Sequence, residues 1–169
     1  MSREIPLSKG FVTIVDTKDF DRISKFKWHY LKTGYASRTQ HHHMDENGKR
    51  VRSHILMHRF IMGITDKSQI VDHINGNPLD NRKCNLRVCN KSENSQNARK
   101  KAGNRNFTSL YKGVSKVSPD KWVVLIKPSK LEKSKYIGTY YSEIAAAKGY
   151  NAAALKYHGK FAYLNDIPV

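Results

Sequence analysis

Along the first seventy residues apolar and polar positions alternate in short runs, the signature of strands and turns. Gly10-Phe11-Val12-Thr13-Ile14-Val15-Asp16 mixes β-branched and apolar residues and ends in polar turn formers, which predicts a strand. Between Asp19 and Trp28 the spacing of Phe20, Ile23 and Phe26 is close to helical and predicts a short helix. Tyr30 to Gln40 and Arg50 to Met57 flank Asp45-Glu46-Asn47-Gly48. Asn-Gly favours a type I′ turn, so this stretch reads as a hairpin with His41, His42 and His43 near its tip.

A short apolar run, Gln69-Ile70-Val71, leads into Asp72 and His73 and then into turn formers. Asn85 to Cys89 reads as a return strand, and a helix follows, capped by Ser92 or by Asn90. Beyond residue 108 the pattern changes. Gly113 to Val117, Trp122 to Lys127 and Tyr136 to Tyr140 read as three strands. Ser142 then offers an N-cap to an Ala-rich helix reaching about His158, with Gly159 as its stop. Gly149 inside that helix costs about 1 kcal/mol against Ala, which suggests close packing on the sheet.

Charge sharpens this outline. The chain has 169 residues and a formal net charge of +17, with a pI near 9.9. Such an excess of Lys and Arg points to a polyanion, because neutralising phosphates releases their counterions. No run approaches the roughly 18 apolar residues of a membrane span, and Met1 to Pro6 lacks a signal-type apolar stretch. Cys84 and Cys89 cannot close a four-ligand zinc site by themselves. They read as reduced thiols, giving the expectation of a cytoplasmic protein with no membrane partner.

The segment Val71-Asp72-His73-Ile74-Asn75-Gly76-Asn77-Pro78-Leu79-Asp80-Asn81-Arg82 holds the candidate chemistry. Phosphodiester hydrolysis needs an activated water, a Lewis acid at the leaving oxygen and a positioned phosphate. A carboxylate with an amide oxygen makes a hard, open site suited to Mg²⁺, and a near-neutral histidine can take a proton from water. The three histidines at 41–43 fit a ligand set poorly, since neighbours on a strand point to opposite faces.

With Asn85-Leu86-Arg87 and Ser92-Glu93-Asn94-Ser95-Gln96-Asn97, that segment resembles the HNH endonuclease motif, most closely the His-Asn-Asn variant of phage homing endonucleases. The resemblance covers about thirty residues in order and spacing. It implies a ββα-metal fold, with Asp72 a metal ligand, His73 the general base, Asn85 holding the loop and Asn94 the second ligand. Asn90 and Asn97 are alternatives to Asn94. With Asn as the last ligand, Mg²⁺ is implied first and Mn²⁺ second. Met57-His58-Arg59-Phe60 resembles a segment that recurs before the motif; His58 there is either a phosphate contact or a buried histidine, and stays outside the catalytic set.

From Tyr111 onward, Tyr111-Lys112-Gly113-Val114, Trp122, Tyr136-Ile137-Gly138-Thr139-Tyr140 and the alanines of the last helix together resemble an AP2 DNA-binding domain. That resemblance implies a three-stranded antiparallel sheet packed on one helix, with Lys112, Ser115, Lys116, Lys127, Lys135 and Tyr136 facing DNA. Where plant AP2 domains place arginines and a tryptophan at base-reading positions, this chain has Ser115, Val117 and Pro119, so phosphate contacts carry more of the expected affinity.

The expected architecture is therefore α+β. An HNH nuclease domain spans 1–99, with a ββα-metal core at about 68–99; a linker at 100–108 leads to an AP2-type domain at 109–169. The expected function is metal-dependent hydrolysis of double-stranded DNA by a homing endonuclease, as monomer or homodimer and without a small-molecule cofactor. The alternative is a non-catalytic DNA-binding regulator with a vestigial motif.

Overall fold

The computed structural model describes residues 1–44, 46–100 and 108–168. The side chain of His42, Asp45 of the expected turn and all but the two ends of the expected linker lie outside the described residues. The fold is mixed α/β, with four small sheets and four α-helices among the described residues, and it divides into two compact units, Met1–Cys89 and Asn90–Val169.

In the first unit β1 (Ser2–Pro6) pairs antiparallel with β2 (Val12–Asp16), placing Ile5 opposite Thr13. The sequence pattern shows β2 but not β1, whose only buried side chain is Ile5. Helix α1 spans Thr17–Ser24, shorter than the stretch to Trp28 that apolar spacing suggests. The reason is local: Trp28 leaves the helix and folds back, its Nε1 donating to the Ile23 carbonyl at 2.9 Å. The same carbonyl, in the last turn of the helix, also accepts from the Phe26 amide at 3.1 Å, so the indole adds a second bond there.

Strands β3 (His29–Tyr30), β4 (Ala36–Met44) and β5 (Arg50–Leu56) form an antiparallel sheet in that order. The β4–β5 hairpin is present, but its turn is not type I′. Gly48 has φ of 71°, while Lys9 is the only non-glycine with positive φ among the described residues, so Asn47 is not left-handed. Type I′ needs both central residues left-handed. The register instead shifts between His41 and Met44, as in a longer loop. Helix α2 (Met57–Met62) follows and stops at Gly63, which is left-handed.

Next, β6 (Ile70–His73) pairs antiparallel with β7 (Leu86–Cys89), with Asp72 opposite Arg87 and His73 opposite Leu86. Val15, Ile23, Trp28, Met57, Val71 and Leu86 meet in one buried core, so β2, α1, α2 and the β6–β7 ladder are fixed against one another.

The second unit opens with α3 (Lys91–Asn97). Its cap is Asn90 rather than Ser92: Asn90 Oδ1 accepts from the Glu93 amide while the Glu93 carboxylate accepts from the Asn90 amide. This reciprocal box satisfies two orphan donors, whereas the Ser92 hydroxyl is turned away and accepts from the Lys130 amide. Strands β8 (Val114–Ser118), β9 (Lys121–Ile126) and β10 (Lys135–Tyr140) form an antiparallel sheet with β9 central. Helix α4 (Glu143–His158) covers one face, burying Ala146, Ala147 and Tyr150 against Val114, Val124 and Ile126. Its Gly149 lies under Tyr140, where a Cβ would collide with the phenol. Close approach thus outweighs the helix-propensity cost at that position.

Candidate functional site

The loop between β6 and β7 is tied down by asparagines. Asn85 ends a 3-10 turn (Lys83–Asn85), and its side chain is buried. Its Oδ1 accepts from the Asn75 amide at 2.9 Å, and its Nδ2 donates to Asn75 Oδ1 at 3.0 Å and to the Asp80 carbonyl at 2.8 Å. One side chain therefore joins both ends of the loop. Asp80 adds a second tie, taking two bonds from Arg82, at 2.7 and 2.6 Å, and one from Asn75 Nδ2 at 2.9 Å. The Arg82 bonds hold its carboxyl below the usual carboxylate range.

Strand β2 grips the same loop from outside the motif. Ile14 N–H donates to the Leu79 carbonyl at 2.9 Å, and Asn81 N–H donates to the Ile14 carbonyl at 2.8 Å. Asp16 Oδ2 accepts from the Lys83 amide at 2.7 Å.

His73 is 5% exposed at the end of β6. Its ring lies 5.0 Å from that of His58, edge to face, and 5.9 Å from that of Tyr35, while Tyr35 and His58 lie 5.2 Å apart. Its Nε2 is 3.3 Å from Asn81 Oδ1. Burial pushes the His73 pKa down, opposed by the bond to Asn81 and by the charges of Asp72 and Asp80. A neutral imidazole at physiological pH follows, the form that can accept a proton.

His58 is also buried, and burial, then His73 and Arg59, bring its pKa down to about 3. Of the two roles left open for His58, the structure takes the buried one. Arg59 donates to the carbonyls of Gln69 and Asp66, each at 2.6 Å, and is not aimed at a ligand.

Asp72 faces Arg87 across the ladder. The guanidinium donates Nε and Nη2 to Asp72 Oδ2 at 3.0 and 2.8 Å, and both side chains are nearly out of solvent. Of the four candidate catalytic and metal residues, Asp72, His73 and Asn85 belong to the first unit. Asn94, half-buried on α3, belongs to the second. Asn90 is committed as a cap, and Asn97 is buried.

The donor chemistry can be tested against a metal ion. Asp72 offers one carboxylate, and among the described residues no three His, Cys, Asp or Glu side chains come together as a ligand group. Such a set fits a hard, largely hydrated cation of the magnesium type, which needs only one or two carboxylates. It does not fit zinc held by three or four nitrogen and sulfur ligands.

In the second unit the six expected DNA-facing residues separate. Ser115 and Tyr136 pair with Val123 and Leu125 on the sheet face away from α4, and Lys127 follows on that face by alternation. Lys116 and Lys135 depart from the expectation. Lys116 Nζ is 5.3 Å from the Trp122 ring, and Lys135 Nζ is 5.0 Å from the Tyr157 ring of α4, so both lie on the helix side. Lys112 departs further. Its ammonium donates to the carbonyls of Gln96 and Ala98 at 2.7 Å each, closing the end of α3, and burial lowers its pKa to about 8.

Several residues of the site are not evident from the motif. Thr13, Tyr35 and His58 come from distant segments, and Asn81 reads simply as a turn residue. Arg87 could be found from the register: a strand returning from a loop fixed by Asn85 brings it opposite Asp72.

A buried, neutral histidine beside a carboxylate, on a two-stranded ladder whose loop is locked by asparagines, is the arrangement expected from the HNH resemblance. The family model for HNH endonuclease matches residues 51–96. An uncharacterized HNH endonuclease of Acanthamoeba polyphaga mimivirus is 31% identical over 165 residues, covering 94% of this chain and 77% of the relative. The chain belongs to the HNH endonuclease family and is a nuclease by that membership. Nucleases of this family act on DNA and generally use a divalent metal ion.

Proposed function

We propose that the protein hydrolyses phosphodiester bonds of double-stranded DNA at the β6–β7 loop, as a homing-type endonuclease steered by a second, AP2-type DNA-binding unit. The observation that carries the chemistry is His73: buried, neutral and held by ring contacts and a hydrogen bond at the end of β6. In this reading His73 takes the proton of the attacking water. Asn85 holds the loop that presents it. Asp72 and Asn94 would hold the ion, Mg²⁺ or Mn²⁺, which when bound supplies charge to stabilise the leaving oxygen.

The AP2 reading rests on the antiparallel β8–β9–β10 sheet backed by α4 and on the residues of that resemblance. The DNA-facing set it now supports is Ser115, Lys127 and Tyr136, the last 62% exposed. The nuclease domain is assigned to 1–99 with its core at about 68–99, and the DNA-binding domain to 109–169. No helix among the described residues is long and apolar enough to cross a membrane, in keeping with a chain that works on DNA in the cytoplasm. A single site cuts one strand per visit, so a monomer nicks and a homodimer breaks both strands.

The test is supercoiled plasmid, with DNA of the natural source included, incubated with the protein in Mg²⁺ and in EDTA. Nicked or linear product in Mg²⁺ alone is expected. Binding without cleavage in Mg²⁺ and Mn²⁺ would leave the DNA-binding regulator instead.

A further inference from the structure

We infer that Ser92, Gln96 and Lys112 are positioning residues: they anchor α3 to the rest of the second unit and so hold Asn94, on the opposite face of the helix, in place for the metal ion. The inference rests on the reading of Asn94 as a metal ligand. None of the three anchors is itself a proposed ligand.

Helix α3 has seven residues, too few for a helix to be stable by itself in water. Its start is secured locally by the Asn90–Glu93 box, but the remainder is held from outside. Gln96 Nε2 donates to the Pro128 carbonyl at 2.8 Å, and Ser92 Oγ accepts from the Lys130 amide at 3.2 Å. Pro128 and Lys130 both lie in the connection between β9 and β10. The Lys112 ammonium adds two bonds of 2.7 Å, to the carbonyls of Gln96 and Ala98, where the last turn leaves acceptors without helical partners.

Lys112 is itself fixed. Its amide donates to Asn165 Oδ1 at 2.7 Å, and its carbonyl accepts from Asn165 Nδ2 at 3.1 Å. Asn165 in turn exchanges two bonds with Asn151 of α4, at 2.7 and 2.9 Å. A continuous line of hydrogen bonds therefore runs from α4 to the end of α3.

Ser92 and Gln96 are four residues apart and share one face of α3. Asn94 lies midway between them in sequence, roughly 200° around the helix from either. The anchored face and the face bearing Asn94 are thus opposite. With the anchors in place, α3 resists both rotation about its axis and unwinding from its C-terminal end. Without them the fraction of molecules with Asn94 in place falls, and apparent metal affinity falls with it.

The test reads the helix and the metal separately. Ser92→Ala/Gln96→Met removes both side-chain anchors on α3. Alanine is a better helix former than serine, and methionine matches glutamine, so any loss of helix comes from the lost anchors. Amide exchange is followed in the full, metal-free chain. The Asn94 amide, bonded to the Asn90 carbonyl at 3.0 Å, should lose protection about tenfold or more, while the amides of β9 stay within about twofold. In plasmid cleavage the Mg²⁺ concentration for half-maximal rate should rise about threefold or more. The kcat at saturating Mg²⁺ and the DNA affinity should stay within about twofold. Ser92→Thr keeps the hydroxyl and should match the wild type in both readouts.

Unchanged protection of the Asn94 amide in the double variant overturns the inference, and so does an equal loss across α3 and β9. Lost protection at α3 with a wild-type Mg²⁺ midpoint overturns it where Asn94→Ala shifts that midpoint. An Asn94→Ala protein with the wild-type Mg²⁺ midpoint would instead defeat the metal-ligand reading, and the exchange result then still decides whether α3 is anchored.

Discussion

Asp72 and Arg87 close an ion pair across the β6–β7 ladder, Oδ2 to Nη2 at 2.8 Å, with both side chains nearly out of solvent. The guanidinium donates to Oδ2 through both Nε and Nη2, which fixes the carboxylate at the end of the ladder. Arg87→Met removes the charge that pairs the buried carboxylate and should cost about 3 kcal/mol, read from urea midpoints in EDTA. Millimolar Mg²⁺ should return part of that loss in the variant and little in the wild type. An equal effect of Mg²⁺ on both would argue against a cation at Asp72.

Asn85→Asp keeps the oxygen that accepts from Asn75 and removes the NH₂ that donates to Asn75 Oδ1 and to the Asp80 carbonyl. Left with no donor, the loop ends should separate. The expected loss is about 2 kcal/mol in stability, together with a fall in cleavage rate at unchanged DNA affinity. Equilibrium unfolding and single-turnover cleavage check the two parts.

How much of this was legible in the sequence depended on whether the cause was local. The elements β2, α4 and the three strands of the second unit follow from period and capping, because their apolar faces alternate with polar residues. Thr13 lies 68 residues from Asn81, and only the fold brings the two together. Trp28 fits the helical spacing but spends its indole on the helix end instead. Lys112 reads as a DNA contact by charge and family position, yet its ammonium closes α3. Charge shows that a side chain is cationic; the nearest carbonyls decide where it goes.

Burial carries a pH signature. His58 titrates near 3 in the folded protein against 6.5 for an unperturbed histidine, so the unfolded chain binds the extra proton between those values. Stability is full above pH 6.5 and falls as pH drops toward 3, by about 2 kcal/mol from His58 alone at pH 5. His73 is shifted in the same direction and adds to the slope. His58→Leu should flatten the dependence of the urea midpoint between pH 7 and 5 but not abolish it. An unchanged slope would contradict the buried assignment.

Lys127 and Lys112 should part company. Lys127 is exposed, and Lys127→Ala should weaken DNA binding without changing the melting temperature. It should also reduce the slope of log affinity against log salt by about 1. Lys112→Met should lower the melting temperature and leave that slope alone. Fluorescence anisotropy across a salt series and calorimetry of both variants make the comparison.

The central claim is that His73 is the base of a metal-dependent nuclease. Its most direct test is plasmid cleavage in Mg²⁺ by the wild type and by His73→Ala, with DNA affinity measured for both. The account predicts binding within about twofold and a cleavage rate reduced by about 100-fold or more in the variant, the worth of a general base. Cleavage by His73→Ala at the wild-type rate would contradict it.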